Sequence, residues 1–157
     1  EKNSFVIIQD ADLEYNVNDL IKIFDFYKKN QNYKVIYGSR FLKKNFVEIY
    51  SSFNKDFIRI LGNILLTFFS NLLNGQNLSD AHTCYKGFDS NTFKKIILYE
   101  NGFSFCPEIN TKISLINIKI KEIPIRYFSR TKDMGKKIRF TDAFLAIKAI
   151  IKYRFFN

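Results

Sequence analysis

Two short apolar runs rich in β-branched residues, residues 4–9 (SFVIIQ) and 33–37 (YKVIY), stand on either side of one amphipathic stretch. Runs this short and this apolar read as buried strands. Between them Asn18 is placed to cap a helix that reaches about Lys29, with Leu20, Ile21, Ile23, Phe24 and Tyr27 on its apolar face. Strand, helix and strand in so short a span predict a βαβ unit with a parallel strand pair, because parallel neighbours need a crossover that a helix supplies. Gly38 is expected to stop the second strand. This one feature commits the chain to the α/β class.

The remainder fits one α/β domain over residues 1–157, with no repeat, linker or low-complexity segment. Residues 57–73 (FIRILGNILLTFFSNLL) form a long apolar helix. Arg59, Asn63 and Asn71 leave it short of the roughly 20 clean apolar residues of a membrane span. It reads either as a helix in the membrane interface or as a core helix. Residues 78–88 (LSDAHTCYKGF) are polar and turn-like, and residues 90–98 are expected to be helical. Pro107 can open another helix at its first position, with Glu108 in the first turn, where a carboxylate serves the helix dipole. Residues 118–128 (IKIKEIPIRYF) alternate as a strand does, and Pro124 confines that strand to an edge or bends it. A basic loop follows over 129–137, and Asp142 opens a last helix toward Tyr153.

Formal net charge is +10, and residues 119–157 carry eleven Lys/Arg against three Asp/Glu. That bias suggests an anionic partner: nucleic acid, nucleotide phosphates or an acidic membrane. Two cysteines, Cys84 and Cys106, and one histidine, His82, are too few for a disulfide framework or a zinc site. Both cysteines read as reduced, buried hydrophobes in a cytosolic setting. The chain begins at Glu1 with no basic leader before its first apolar run, so it is read as a piece whose N-terminus lies upstream.

The sharpest chemical feature is Asp10-Ala11-Asp12, directly after the first strand. In an extended segment, side chains at i and i+2 point to the same side. Two carboxylates so placed can hold one hard cation, Mg²⁺ or Mn²⁺, and Glu14 could add a third oxygen. The carboxyl ends of strands are also where open α/β sheets bind ligands. An acidic turn is the plain alternative.

Five segments occur in order: IQDADLEY, VIYGSRF, SDAHTCYKGF, FCPEI and KEIPIRYFSRTKDMGKKIRFTDAF. Together they resemble the polyprenol-phosphate sugar transferases of glycosyltransferase family 2, of the dolichol-phosphate mannosyltransferase kind. The resemblance implies a GT-A fold, a Rossmann-like mixed sheet flanked by helices, of which this chain is the C-terminal part. It implies inverting transfer of a sugar, from GDP-mannose or UDP-glucose, to a lipid phosphate. Carried over by position, Asp10 and Asp12 match the motif that holds metal and donor diphosphate, with Glu14 near the metal. Arg40 matches an arginine beside a donor or acceptor phosphate. Asp80 matches the acid of the acceptor-side loop. Arg130, Lys136 and Lys137 match a basic loop over the phosphates. Asp80, Arg40 and Arg130 are therefore the expected catalytic residues.

A leaving nucleoside diphosphate gains negative charge, which a metal and fixed cations stabilise. A lipid-phosphate acceptor is already an anion and needs no strong base. A hydroxyl acceptor would need one, with Asp80 as the natural residue. Asp80 as a turn residue and Lys136 and Lys137 as a solvated loop are the plain alternatives. The chain lacks the strand and loop that grip the nucleotide base in such enzymes, and its sheet is expected to have an open edge. The piece alone is expected to be inactive and poorly soluble. The setting implied is the cytoplasmic face of a membrane, with peripheral attachment through residues 57–73 and the basic C-terminus. Two other function classes compete: a basic nucleic-acid-binding module and a non-catalytic membrane-surface adaptor. The nucleic-acid reading leaves the paired aspartates unexplained, so no nucleic-acid partner is expected.

Overall fold

A computed structural model describes residues 4–130 and 140–156. In chain order the elements are β1 (Phe5–Ile8), α1 (Asn18–Lys29), β2 (Val35–Ser39), α2 (Phe46–Ser52), α3 (Phe57–Asn74), β3 (Lys86–Asp89), α4 (Ser90–Phe93), α5 (Phe105–Leu115), β4 (Ile120–Pro124) and α6 (Phe140–Phe155). The four strands form one mixed sheet in the order β1-β3-β2-β4. The α/β class is as the strand–helix–strand pattern predicted.

The sheet corrects one detail of that pattern. β1 and β2 point the same way, yet they do not pair. β3 lies between them, antiparallel to both, with Gly87 opposite Ile7 on one side and Ile36 on the other. Sequence reasoning placed these residues in a polar turn, because Lys-Gly-Phe-Asp has neither length nor alternation. Tertiary packing makes it the fully buried centre of the sheet. Gly87 is required there by close approach: a Cβ on it would lie 2.4 Å from Phe5 Cζ and 3.2 Å from Ile23 Cγ2. β1 is left as an edge strand, its four residues half-buried. The parallel pair in the sheet is β2 with β4, and Gly38 continues β2 opposite Ile123 rather than ending it. Pro124 closes the outer strand β4, where a missing N–H costs little.

Alternation along β2 sends Ile36 to one face and Val35 and Tyr37 to the other, which creates two cores. The first gathers Ile23, Tyr27, Ile36, Phe53, Ile60, Tyr85, Ile125 and Tyr127. The second gathers Val35, Tyr37, Phe88, Ile96, Ile109 and Ile113. Several helix ends differ from expectation. Asn18 is the first residue of α1 rather than its cap, and Asn16 Oδ1 accepts its N–H at 3.0 Å. Of the expected apolar face, Ile23 and Tyr27 are buried while Ile21 and Phe24 are exposed. The helix expected over 90–98 is one turn, capped by the Asp89 side chain. A 3-10 turn, Gly102–Ser104, leads into α5, so Pro107 is its third residue.

α3 matches the predicted span, with Asp56 capping Arg59 N and Gly75 ending it in the left-handed region at φ 62. Its burial is inverted. The inward residues are Ile60, Thr67, Ser70 and Asn74, while Ile58, Leu61, Leu65, Phe68 and Leu72 are exposed. Among the described residues only 22% of this helix is buried, and it is long and apolar enough to cross a membrane by length and composition alone.

Candidate active site

Asp10 and Asp12 follow β1 into a turn at the carboxyl end of the strand. Asp12 Oδ1 accepts the backbone N–H of Glu14 at 3.2 Å, and Leu13 between them has φ 61. A leucine in the left-handed region is uncommon. Here it turns the Leu13 side chain out to 94% exposure and swings Glu14 inward, to 2%. The next residues are stitched to the segment after β4: Phe128 N–H donates to Glu14 O at 2.9 Å, and Tyr15 bridges Tyr127.

This stitching delivers Arg130. Its Nη2 lies 3.5 Å from Asp12 Oδ2, and its Nε lies 3.3 Å from Glu14 Oε1. Its backbone N–H also donates to Glu14 Oε1, at 2.9 Å, and Tyr127 Oη donates to Glu14 Oε2 at 2.8 Å. Arg130 therefore lies beside Asp12 and Glu14. Glu14 differs from expectation: its buried carboxylate faces Tyr127 and Arg130. Asp10 accepts a hydrogen bond from the Cys84 thiol. Burial first, then Cys106 and the Asp10 carboxylate, push that thiol up, so it serves as a neutral donor. Lys136 and Lys137 lie outside the described residues.

Arg40 and Asp80 are together, but inside the protein. Arg40 Nε donates to Asp80 Oδ2 at 2.7 Å, Nη2 to Oδ1 at 2.8 Å, and the Arg40 backbone N–H to Oδ2 at 3.0 Å. Nη2 also reaches Asn63 Oδ1 on α3 at 3.1 Å. The guanidinium stacks near Phe53 and Tyr127, 5.3 and 5.1 Å from their ring centroids. Burial alone would raise the Asp80 carboxyl, but the Arg40 charge and its hydrogen bonds outweigh it and hold the group below its usual range. The structure thus places these two expected site residues in one buried pair. Arg40 is buried and engaged in this pair rather than turned to a phosphate, and Asp80 is an acid without solvent access, a poor proton acceptor.

The acidic loop around Asp80 is pinned from two sides. Glu122 on β4 accepts the N–H groups of Ser79 and Asp80 at 2.8 and 3.0 Å. Lys86, fully buried on β3, donates to the carbonyls of Ala81 and Thr83 and sits 4.6 Å from the Tyr37 ring. Glu108 stands in the first turn of α5, as expected, and it also caps a loop: it accepts the N–H groups of Tyr99 and Glu100 and pairs with Lys112.

His82 Nε2 is buried without a hydrogen-bond partner among the described residues. Burial first, then Lys86, lowers its pKa to about 3. The folded protein thus refuses a proton that the unfolded chain accepts below about pH 6.5. Stability is expected to fall as pH drops from 6.5 toward 3, by up to about 1.4 kcal/mol per pH unit. A His82→Gln variant should lack this slope. Urea midpoints at pH 7, 5.5 and 4.5 check it, and parallel curves for the two proteins would refute it.

Sequence reasoning missed Tyr127, Asn63 and Cys84 as parts of this region. Only Tyr127 left a signal, standing three residues before Arg130 in a strand pattern.

Among the described residues there is no group of three or more His, Cys, Asp or Glu side chains that could hold a metal. A hard cation of the Mg²⁺ type keeps several waters and would need only one or two carboxylates, such as Asp10 and Asp12, beside substrate phosphates.

No family model matches the chain. A curated relative does, over 129 residues at 26% identity: the low-salt glycan biosynthesis hexosyltransferase Agl6 of Haloferax volcanii. This chain is similar to a hexosyltransferase. The match covers 82% of this chain and 30% of that protein, so the chain spans less than a third of its relative's length.

Proposed function

We propose that this chain is part of a family 2, GT-A-type glycosyltransferase that passes mannose or glucose from a nucleotide sugar to a polyprenyl phosphate. The observation that carries this reading is the site at the end of β1. Asp10 and Asp12 follow β1 as two carboxylates at least partly open to solvent, and Asp12 stands beside the Arg130 guanidinium, in a chain similar to a hexosyltransferase. Asp10 and Asp12 would hold Mg²⁺ or Mn²⁺, which when bound neutralises charge on the leaving diphosphate. Arg130 presents a planar, permanently charged donor to the same diphosphate. Lys136 and Lys137 would extend that basic loop.

The buried Arg40–Asp80 pair bears on the acceptor. A hydroxyl acceptor calls for a general base, and Asp80 is tied down on both oxygens. A lipid phosphate arrives already ionised and asks only for positioning, so it is the acceptor favoured here. Arg40 and Asp80 then act as scaffold, holding β2, α3 and the acidic loop in register.

Transfer would take place at a membrane, on its cytoplasmic face. Ile58, Leu61, Leu65, Phe68 and Leu72 recur at helical spacing and form an apolar face on α3. α6 packs against α3 and adds exposed Phe144 and Phe155 with Lys148, Lys152 and Arg154 along its length. An apolar face beside basic residues suits an anionic bilayer surface. Each large side chain that enters the bilayer contributes about 1.5–3 kcal/mol. Leu65→Glu with Phe68→Glu is therefore expected to weaken binding to anionic liposomes by roughly a hundredfold or more, read by flotation. Unchanged flotation would refute peripheral attachment through α3.

The test of function uses the full-length protein. Labelled sugar from GDP-mannose or UDP-glucose should appear on polyprenyl phosphate when Mg²⁺ or Mn²⁺ is present. A folded protein that labels no lipid with either donor would sink the proposal.

A further inference from the structure

Glu14 follows the paired aspartates closely enough to look like a third ligand, and the turn at Leu13 is what separates it from them. Leu13 at φ 61 breaks the extended alternation, so Glu14 enters the protein while Asp10 stays exposed. Glu14 Oε1 then takes both the backbone N–H and the Nε–H of Arg130, and Oε2 takes the Tyr127 hydroxyl. The far end of the same guanidinium comes to rest 3.5 Å from Asp12. One buried carboxylate thus holds Arg130 both at its backbone N–H and at its Nε–H, while the guanidinium tip remains partly exposed. The rotamer freedom of Arg130 is given up on folding, before any ligand arrives.

We propose that Glu14 is the positioning residue of Arg130 rather than a ligand of the cation. It sets the guanidinium beside Asp12, so that Arg130 and a cation held by Asp10 and Asp12 address one diphosphate together. This rests on the metal-dependent transfer reading above. Tyr127 completes the device. Its hydroxyl holds Glu14, and its ring packs against the Arg40 guanidinium, which ties the accessible site to the buried Arg40–Asp80 pair.

Two measurements on the full-length protein test it. The first is NMR of the ¹⁵N-arginine-labelled protein, with the Arg130 Nε–H identified by its loss in Arg130→Lys. A resolved, exchange-protected signal is expected in the wild type and in Asp12→Asn, and its collapse into the bulk arginine envelope in Glu14→Gln. An unchanged signal in Glu14→Gln would overturn the proposal. The second is calorimetry with Mn²⁺ alone and with pyrophosphate in saturating Mn²⁺. Glu14→Gln should leave the Mn²⁺ Kd within about twofold and weaken pyrophosphate about tenfold, in the range that loss of a supporting partner costs. Adding Arg130→Lys to Glu14→Gln should cost little more, because the two act as one unit. A loss of about tenfold or more in Mn²⁺ affinity without pyrophosphate would make Glu14 a ligand and overturn the proposal. If the wild type binds neither probe while its Arg130 signal depends on Glu14, the transfer reading fails and the positioning of Arg130 is upheld.

Discussion

Asp80→Ala is expected to destabilise the folded protein by about 3–5 kcal/mol, the cost of removing one partner from a buried ion pair. The carboxylate is fully buried and receives three N–H groups from Arg40 alone. Removing it leaves the Arg40 guanidinium as a buried charge whose remaining contacts are Asn63 and three aromatic rings. Asp80→Asn keeps the shape and loses the charge, so it should fall between the wild type and Asp80→Ala. The pair also carries a pH signature. A carboxyl held below its usual range stabilises fully above its unfolded pKa, near 3.8, and that stability is lost as pH falls through the lower folded value. Urea unfolding of the full-length protein at pH 7 measures the main effect. A loss under about 1 kcal/mol would show that the pair contributes no more than a surface salt bridge.

Asp12→Ala is expected to lower sugar transfer by about a hundred- to a thousandfold, a loss typical of deleting one group that stabilises developing charge. Asp12 supplies a carboxylate for the proposed cation and also faces Arg130. Its side chain is partly exposed and its one backbone partner is Glu14 N, so the fold should survive the change with little loss. Transfer of labelled sugar, Mn²⁺ affinity and the urea midpoint together separate these effects. Activity within about threefold of the wild type, at an unchanged midpoint, would remove Asp12 from the chemistry. A shifted midpoint with normal Mn²⁺ binding would assign it to the turn instead.

Some of this site was plain in the order of residues and some was invisible there. The paired aspartates were legible because a strand end followed by Asp-x-Asp is a local pattern, and Arg130 entered only through the family resemblance. The opposite fates of Asp12 and Glu14 were not legible. By alternation all three acids from Asp10 to Glu14 should face one way, and it took the left-handed turn at Leu13 to send Glu14 inward. Nor could the sequence place Arg40 and Asp80 in one buried pair, since 40 residues separate them. Each looked like a surface group waiting for a phosphate or a proton.

What the sequence determined by itself is local: the α/β class, the span of α3, the edge position of Pro124 and the acidic turn after β1. All follow from short-range periodicity, capping and proline geometry, which act within a few residues. Tertiary structure decided the rest. It put β3 between β1 and β2, because Gly87 lets Phe5 and Ile23 pack where a side chain would stand. It exposed the apolar face of α3 and buried its polar one. It brought Arg40 and Asp80 into one buried pair, because a guanidinium and a carboxylate removed from water are stable only against each other, and that pairing depends on the whole fold.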